Sequence, residues 1–332
     1  MIEVIFTIDY EIYGTGKGAL KGLVYEPTQK LVNLFNELGA KLVVFTEAAE
    51  FEKICGNAAD PYIGKVEEQI HQLYHQGHEI ALHLHPQWYR AVYKDGEWEM
   101  DYNDYNLCNM EEDRIGQLVN QSIGYLRGVL KDSSYIPFSF RAGGWLFQPT
   151  AKAARVMAAY GIKIDSSLYK GGRQCNYKLD YRPSKKNGYW WYFKDEVNAP
   201  DNNGLLLEVP VYTRMVPFWK MATLKRIGIQ KQNDLCRKDS VADRIYRLMD
   251  LASFLYPLKF DFCRMTLNEL IDVVNCLIQE DEKTPSLFKP IVAIGHSKDL
   301  VDIKTIGFFM RYLRRNGIKI STLREIYPKC KL

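Results

Sequence analysis

Apolar and polar residues alternate along this chain with two different periods. Short apolar runs predict β-strands at 2–11, 41–46, 78–85, 138–142, 162–166, 205–211, 258–262, 290–296 and 318–321. Longer segments with apolar residues about three to four positions apart predict helices at 27–38, 63–76, 111–130, 149–160, 266–280 and 301–315. Strands that alternate with helices in this way are typical of an α/β protein with a mostly parallel sheet.

Several of these strands become polar on one face at their carboxyl ends. In the first strand Ile8 and Tyr10 share one face, whereas Asp9 and Glu11 share the other. The same change occurs in three later strands, at His83 and His85, at Arg141 and at His296. Because the carboxyl ends of parallel strands converge in a βα barrel, we expect these side chains to form one site.

The pattern therefore predicts an α/β fold, a distorted (β/α) barrel of about seven parallel strands, with residues 1–332 forming a single catalytic domain. The segment 169–257 interrupts the alternation and is interpreted as a long insertion within that barrel. Its aromatic run, 189–193, is equally consistent with a surface that stacks on sugar rings and with a core strand of the insertion.

Composition limits the classes of function. A chain of 332 residues with 47% hydrophobic content can bury a large core, and a net charge of +4 does not indicate nucleic-acid binding. Seven scattered cysteines without CxxC spacing indicate neither a disulfide framework nor a cysteine zinc site. No oligomeric state is indicated.

The sequence also bears on where the protein is located and whether it contacts a membrane. No opening signal segment and no apolar run of about 18 to 20 residues are present, so a cytoplasmic protein is predicted. The stretch 216–232 mixes aromatic and basic residues, a composition compatible with a peripheral membrane contact, but an ordinary helix that packs on the barrel with a solvated basic side is favoured.

The residue types at the strand ends suit a metal-dependent hydrolase. His83 and His85, two positions apart, can face one ion together with a carboxylate, and imidazole with carboxylate favours Zn²⁺. A second carboxylate can then act as general base and a separate histidine as general acid. His71 and His75, one helical turn apart, are assigned instead to a solvated helix face.

Five short motifs, in order, resemble those of the polysaccharide deacetylases of the NodB homology type, carbohydrate esterase family four. They are TIDYE from Thr7, GHEIALHLHP from Gly77, FRAGGW from Phe140, DSS from Asp165 and IGH from Ile294. The resemblance extends over most of the chain outside the insertion. It implies a NodB-like barrel, a divalent metal and removal of N-acetyl or O-acetyl groups from a sugar of a polysaccharide or its precursor.

Carried over by position, the resemblance assigns roles to individual residues. Asp9 would be the base that acts on a metal-bound water, His296 the acid and Arg141 the residue that tunes the base. Glu11, His83 and His85 would be the metal ligands, with Gln87 as the alternative third ligand because it stands at the family's usual spacing. Asp165 is the predicted partner of His296, and the predicted substrate pocket consists of Ile294, Trp145 and Trp88.

Two other functions remain open. A protein with a degenerate, metal-free barrel could bind glycans or act as a scaffold. The segment Gly14 to Ala19 fits the dinucleotide fingerprint and precedes an acid, Glu47, at the end of the next strand, which would suit an NAD-dependent enzyme. Against that reading, the helix is predicted to begin only near Pro27 and not on the glycines.

Overall fold

A computed structural model describes residues 1–221, 223–235 and 255–331 of the chain. The described strands are β1 Ile2–Tyr10, β2 Val43–Glu47, β3 Glu79–Leu84, β4 Val92–Lys94, β5 Glu97–Glu99, β6 Ser139–Ala142, β7 Ile164–Asp165, β8 Arg173–Gln174, β9 Leu179–Asp180, β10 Trp191–Phe193, β11 Leu206–Glu208, β12 Thr213–Pro217, β13 Leu255–Lys259, β14 Lys289–His296 and β15 Lys319–Ile320. The described α-helices are α1 Glu26–Glu37, α2 Ala48–Gly56, α3 Ile63–His75, α4 Glu112–Leu130, α5 Ala151–Ala159, α6 Leu224–Leu235, α7 Leu267–Lys283, α8 Ile303–Arg315 and α9 Leu323–Ile326.

Nine of these strands form one curled sheet. Its order is β10-β11-β7-β6-β3-β2-β1-β14, with β15 beside β1, and all neighbours are parallel except the antiparallel edge pair β10 and β11. A parallel backbone bridge from Val211, which follows β11, to Val292 of β14 connects the two sides of the sheet, and a second one joins Asp261, which follows β13, to Ile294 of β14. The predicted distorted barrel of about seven parallel strands is therefore confirmed.

The core explains why the strands are so apolar. The side chains of Val4, Phe6 and Ile8 are completely buried, and Phe6 packs edge-on against Phe35 of α1 and Phe309 of α8. Helices cover this outer face with one apolar stripe each, as the period of about 3.6 residues requires. The inner face is left for the polar residues at the carboxyl ends.

The segment 169–257 contributes to the barrel itself. It supplies β11 to the sheet and β10 to its edge, and Trp191 and Phe193 of the aromatic run are buried there. The core interpretation of that run is therefore favoured over sugar stacking.

The strand predicted at 258–262 is displaced in the structure. The extended residues Leu255–Lys259 pair antiparallel with Thr213–Pro217, and only Asp261 continues to a bridge with the barrel. The ribbon partner is distant in sequence, so the local apolar pattern did not reveal it. No described helix is long and apolar enough to cross a membrane.

Candidate functional site

The carboxyl ends of neighbouring strands place the predicted residues in adjacent positions. Backbone register aligns Asp9 of β1 with His296 of β14, and His83 of β3 with Arg141 of β6. Apart from His296, which is partly exposed, these side chains are buried. The site is thus a polar layer at one end of an otherwise apolar barrel.

Four of the side chains form a cluster of metal-ligand type. The ligand atoms of Glu11, Glu47, His83 and His85 all lie within 4.8 Å of one another, and all four residues are buried. Glu11 Oε2 is 3.4 Å from His83 Nε2 and 3.3 Å from His85 Nδ1, while Glu47 Oε2 is 2.8 Å from His85 Nδ1. Three of the four, Glu11, His83 and His85, are the ligands that the sequence predicts.

Both imidazoles are held in place by the backbone around them. His83 Nδ1 lies 2.8 Å from the carbonyl oxygen of Arg141, so His83 Nε2 is directed at the cluster. His85 rests on Gly143, where an added Cβ would come within 2.5 Å of the ring carbon Cδ2 and 2.7 Å of Leu84 O. Gly143, the first glycine of the FRAGGW motif, therefore makes room for the His85 ring.

The charges of the cluster fit a divalent cation. Burial lowers the pKa of His83, but the carboxylates of Asp9 and Glu11 outweigh burial and raise this pKa to about 9. Glu47 keeps one buried oxygen, Oε1, without a hydrogen-bond partner. Two carboxylates and two imidazoles are a common donor set for Zn²⁺ and similar ions, so the residues present fit a metal site.

Lys298 places a positive charge beside Glu11. Its ammonium donates to Glu11 Oε1 and to the carbonyl oxygen of Ile12, both at 2.8 Å. Burial alone would raise the pKa of Glu11, but Lys298, together with His85 and His83, holds it well below the usual range. Glu11 is consequently an ionised carboxylate with one oxygen directed at the histidines.

Asp9 forms the second part of the site with Arg141. Arg141 Nη1 donates to Asp9 Oδ1 at 2.5 Å, and Arg141 Nη2 donates to Thr7 Oγ1 at 3.0 Å. The guanidinium is completely buried, with its central carbon 3.9 Å from the centre of the Phe45 ring. Burial opposes ionisation of Asp9, but Arg141 and the histidines lower its pKa, so the carboxylate is ionised.

His296 lies on the opposite side of Asp9. Its Nε2 is 3.4 Å from Asp9 Oδ2, and its Nδ1 is 3.7 Å from Asp299 Oδ2. Burial lowers the pKa of His296 and outweighs the opposing effect of these two carboxylates. The side chains around His296 therefore favour its neutral imidazole.

Asp165 is not the partner of His296. Its Oδ1 accepts a hydrogen bond from Ser167 Oγ at 2.6 Å, and its backbone is in register with Glu208 of β11. The carboxylate beside His296 belongs instead to Asp299, in the turn Ser297–Asp299. That turn brings position i+3 back toward the imidazole, which a strand-end prediction could not show.

Three functional candidates were missed or misassigned from sequence: Glu47, Lys298 and Asp299. Glu47 was noticed only as the acid of a dinucleotide site, although its position at the end of β2 is equivalent to those of the predicted ligands. Lys298 and Asp299 follow His296 within three residues, so proximity to a strand end was the available signal.

The predicted pocket residues lie in three different environments. Ile294 is completely buried beside Thr7, one layer below Asp9 and His296. Trp88 is completely buried with its ring edge-on to Trp98, so it lies in the core rather than on a pocket wall. Trp145 is only partly buried.

The glycines at 14–19 are explained by packing. Gly16 and Gly18 have φ values of +77° and +100°, and Cβ atoms there would come within 2.7 Å of Trp98 and 2.2 Å of Leu23. Helical backbone begins at Lys21 with a π-turn, earlier than the predicted start near Pro27. The backbone N–H of Leu20 is already donated to Asp60, and Glu47 contacts His85, so neither element of a dinucleotide site is available.

Comparison with solved structures agrees with this architecture. Over 98% of its length the chain superposes on 89% of a probable polysaccharide deacetylase from Pseudomonas aeruginosa PAO1, with 13% identity and a TM-score of 0.53. The fold is that of the NodB-type deacetylases. An allantoinase superposes on 98% of this chain over 88% of its own length, with 11% identity and a TM-score of 0.52.

The fold also occurs in a branching enzyme. A GH57-type branching enzyme from Pyrococcus horikoshii matches 99% of this chain over 71% of its own length, with 12% identity and a TM-score of 0.56. No family model and no curated protein sequence matches the chain. These likenesses establish the fold, and the reaction has to be argued from the site.

Proposed function

We propose that this protein is a metal-dependent hydrolase that removes an acetyl group, N-linked or O-linked, from a sugar of a polysaccharide or its precursor. The observation that carries the proposal is the joint presence of a buried Glu–Glu–His–His cluster and an Asp9–His296 pair at the same end of the barrel. The candidate ligands are Glu11, Glu47, His83 and His85. Zn²⁺ is the ion that this donor set favours.

When bound, such an ion supplies Lewis-acid chemistry, polarising an acyl oxygen and lowering the pKa of a water. Asp9 is placed to accept the proton of the attacking water, because it is ionised and its Oδ2 is not used by Arg141. Arg141 fixes the orientation of Asp9 through Oδ1. The guanidinium also keeps Asp9 from being protonated before the water arrives.

His296 is placed to donate a proton to the leaving nitrogen or oxygen. Its ring is neutral when Asp9 is ionised, since burial lowers its pKa. The separation of 3.4 Å between Asp9 Oδ2 and His296 Nε2 is short enough for a proton gained by Asp9 to be shared with the imidazole after a small adjustment. Asp299 would stabilise the imidazolium that forms.

The test combines metal analysis with acetate release. Purified protein supplied with Zn²⁺ is incubated with a panel of N-acetylated and O-acetylated sugars, sugar nucleotides and oligosaccharides, and acetate is measured. We expect about one ion per chain and acetate release from at least one member of the panel. Absence of acetate from every member, in protein that carries the ion, would contradict the proposed reaction.

A metal-free glycan-binding protein is a second candidate, because Lys298 already supplies a positive charge to Glu11. Titration of the apoprotein with Zn²⁺ distinguishes the two. Binding that depends on His83 favours the hydrolase, and a protein that takes up no ion favours the binding protein.

Peripheral membrane contact through 216–232 stays a prediction, and residue 222 of that stretch lies outside the described residues. Trp219, Leu224 and Ile227 are exposed, at 53%, 91% and 41%. The basic side chains are less available, because Lys225 donates to Met265 O and Arg226 pairs with Glu269.

A further inference from the structure

One cation at the site is not used by the proposed reaction. Lys259 ends β13, and its ammonium lies 4.2 Å from the centre of the Tyr169 ring and 4.6 Å from that of Trp145. No ion pair joins it to a carboxylate of the described residues. Aromatic faces attract an ammonium without neutralising its charge, so Lys259 is held in position as a net positive charge.

Three other cations among the described residues at this end of the barrel are ion-paired. Each of them contacts a buried acid at short range, and the pairs are Arg141 with Asp9 at 2.5 Å, Lys298 with Glu11 at 2.8 Å and Arg264 with Asp299 at 2.6 Å. Lys259 is the exception among these four. A fold that neutralises its other cations here and leaves one against two aromatic rings presents an anion-binding position.

Lys259 is also close to the reacting groups. Its ring partner Trp145 lies 5.6 Å from the guanidinium carbon of Arg141, which in turn holds Asp9. Burial and the neighbouring charge of Arg264 lower the pKa of Lys259 to about 8. An anion beside the ammonium would raise the pKa of Lys259 again, because an opposite charge favours the charged form.

We infer that Lys259 binds an anionic substituent, a carboxylate or a phosphate, on the sugar whose acetyl group reaches Asp9. This inference rests on the proposed function and narrows its substrate class to acidic or phosphorylated sugars. Lys259 acts on binding and not on the proton transfers, so it is a specificity-determining residue. Tyr169 and Trp145 fix the ammonium from two sides and leave its remaining N–H groups for the ligand.

The experiment measures binding separately from turnover. Isothermal titration calorimetry compares three probes, N-acetylglucosamine, N-acetylglucosamine 1-phosphate and N-acetylmuramic acid, which are neutral, phosphorylated and carboxylated. The proteins are wild type, Lys259→Met, Lys259→Arg and, as matched control, Lys163→Met, an exposed lysine that precedes β7. Thermal unfolding of each variant checks that the fold is retained.

We expect at least one anionic probe to bind wild type on the order of tenfold more tightly than the neutral sugar, as a charge-assisted hydrogen bond allows. Lys259→Met should reduce this preference to about twofold or less, Lys259→Arg should retain most of it, and Lys163→Met should leave it unchanged. The two anionic probes distinguish phosphate from carboxylate. No preference in wild type, or an unchanged preference in a folded Lys259→Met protein, would overturn the inference.

Failure of this inference and failure of the proposed function give different results. If anionic sugars bind through Lys259 but no acetate is released from any substrate, the binding role holds and the reaction is wrong. If acetate is released equally from neutral and anionic sugars by wild type and Lys259→Met, the reaction holds and the role of Lys259 is wrong.

Discussion

The two sides of the barrel bury their acids in opposite ways. At β1, each acid that the reaction needs in its ionised form faces a cation, Asp9 with Arg141 and Glu11 with Lys298. At β7 and β11, Asp165 and Glu208 lie in register, both completely buried, and no described cation is ion-paired with either.

The pKa values follow this difference. Cations lower the pKa of Asp9 and of Glu11 despite burial. Burial raises the pKa of Asp165 to about 6, and burial together with Asp165 raises the pKa of Glu208 well above its usual value. A buried carboxyl group is therefore a candidate base only where the fold also places a cation beside it. Asp165 and Glu208 have no such cation among the described residues, so we assign them a structural role.

The largest effect is expected from removing the base. Asp9→Asn should lower turnover by about 10² or more, because the amide cannot accept a proton, and it should retain the metal. Asp165→Asn on the other side of the barrel should change turnover by less than about tenfold. Steady-state kinetics with metal analysis of both variants measures this, and a larger loss for Asp165→Asn would reverse the assignment.

The second largest effect is expected from removing a candidate metal ligand. His83→Ala should weaken Zn²⁺ binding by well over tenfold, because one of two imidazole ligands is removed from the cluster. His71→Ala is the control, since His71 lies partly exposed on α3 and bonds only with His75 among the described contacts. Competition with a chelator measures both affinities, and equal affinities would place the metal elsewhere.

A third experiment separates His296 from the metal cluster. His296→Ala should slow an N-acetyl substrate by about 10² and an activated aryl acetate by much less, because only the amine needs a proton to leave. Hydrolysis of the two substrates by wild type and variant gives the ratio. Equal losses would mean that His296 positions the substrate and that the proton comes from another group.

The smallest effect concerns the pH dependence of stability. Asp165 and Glu208 have raised pKa values in the folded state, so their protons favour folding, and this stability is lost as pH rises from about 4 through about 6 and above. Glu208→Gln should therefore lose less stability than wild type between pH 5 and pH 8. The difference in the free energy of unfolding should be on the order of 1 kcal/mol, a shift of a few degrees in Tm.

Thermal unfolding at the two pH values tests this. An exposed acid, Glu111→Gln, is the control and should follow wild type. A Glu208→Gln protein with the same pH dependence as wild type would mean that the pKa of Glu208 is not raised in the folded state.

The sequence predicted those features that depend on strand period. Asp9 and Glu11 stand out because they are polar at the end of an apolar run, and the barrel follows from the alternation of strands and helices. Glu47 also ends an apolar strand, but α2 begins at Ala48, so the sequence does not distinguish a site residue from a polar residue at the start of a helix. Its role depends on the distance to His85, which is a property of the folded barrel.

The prediction of Asp165, instead of Asp299, as the partner of His296 was wrong for a similar reason. Strand ends are visible in sequence, but the partner of His296 comes from the conformation of the short turn that follows β14. The position of Lys259 at the site could not be predicted either, because its ring partners Trp145 and Tyr169 lie about ninety or more positions earlier in the chain.

The pairing of β1 with β14 has a consequence for how the protein matures. Residues Ile2 to Asp9 form their backbone ladder with Lys289 to His296, so the base and its histidine meet only after most of the chain has been synthesised. Contacts this distant in sequence fold slowly, because a long loop must close before they form. Nascent chains and partly folded species should therefore bring together the candidate metal ligands of β1 to β3 before Asp9 and His296 meet, and we expect no hydrolysis from them until β14 docks.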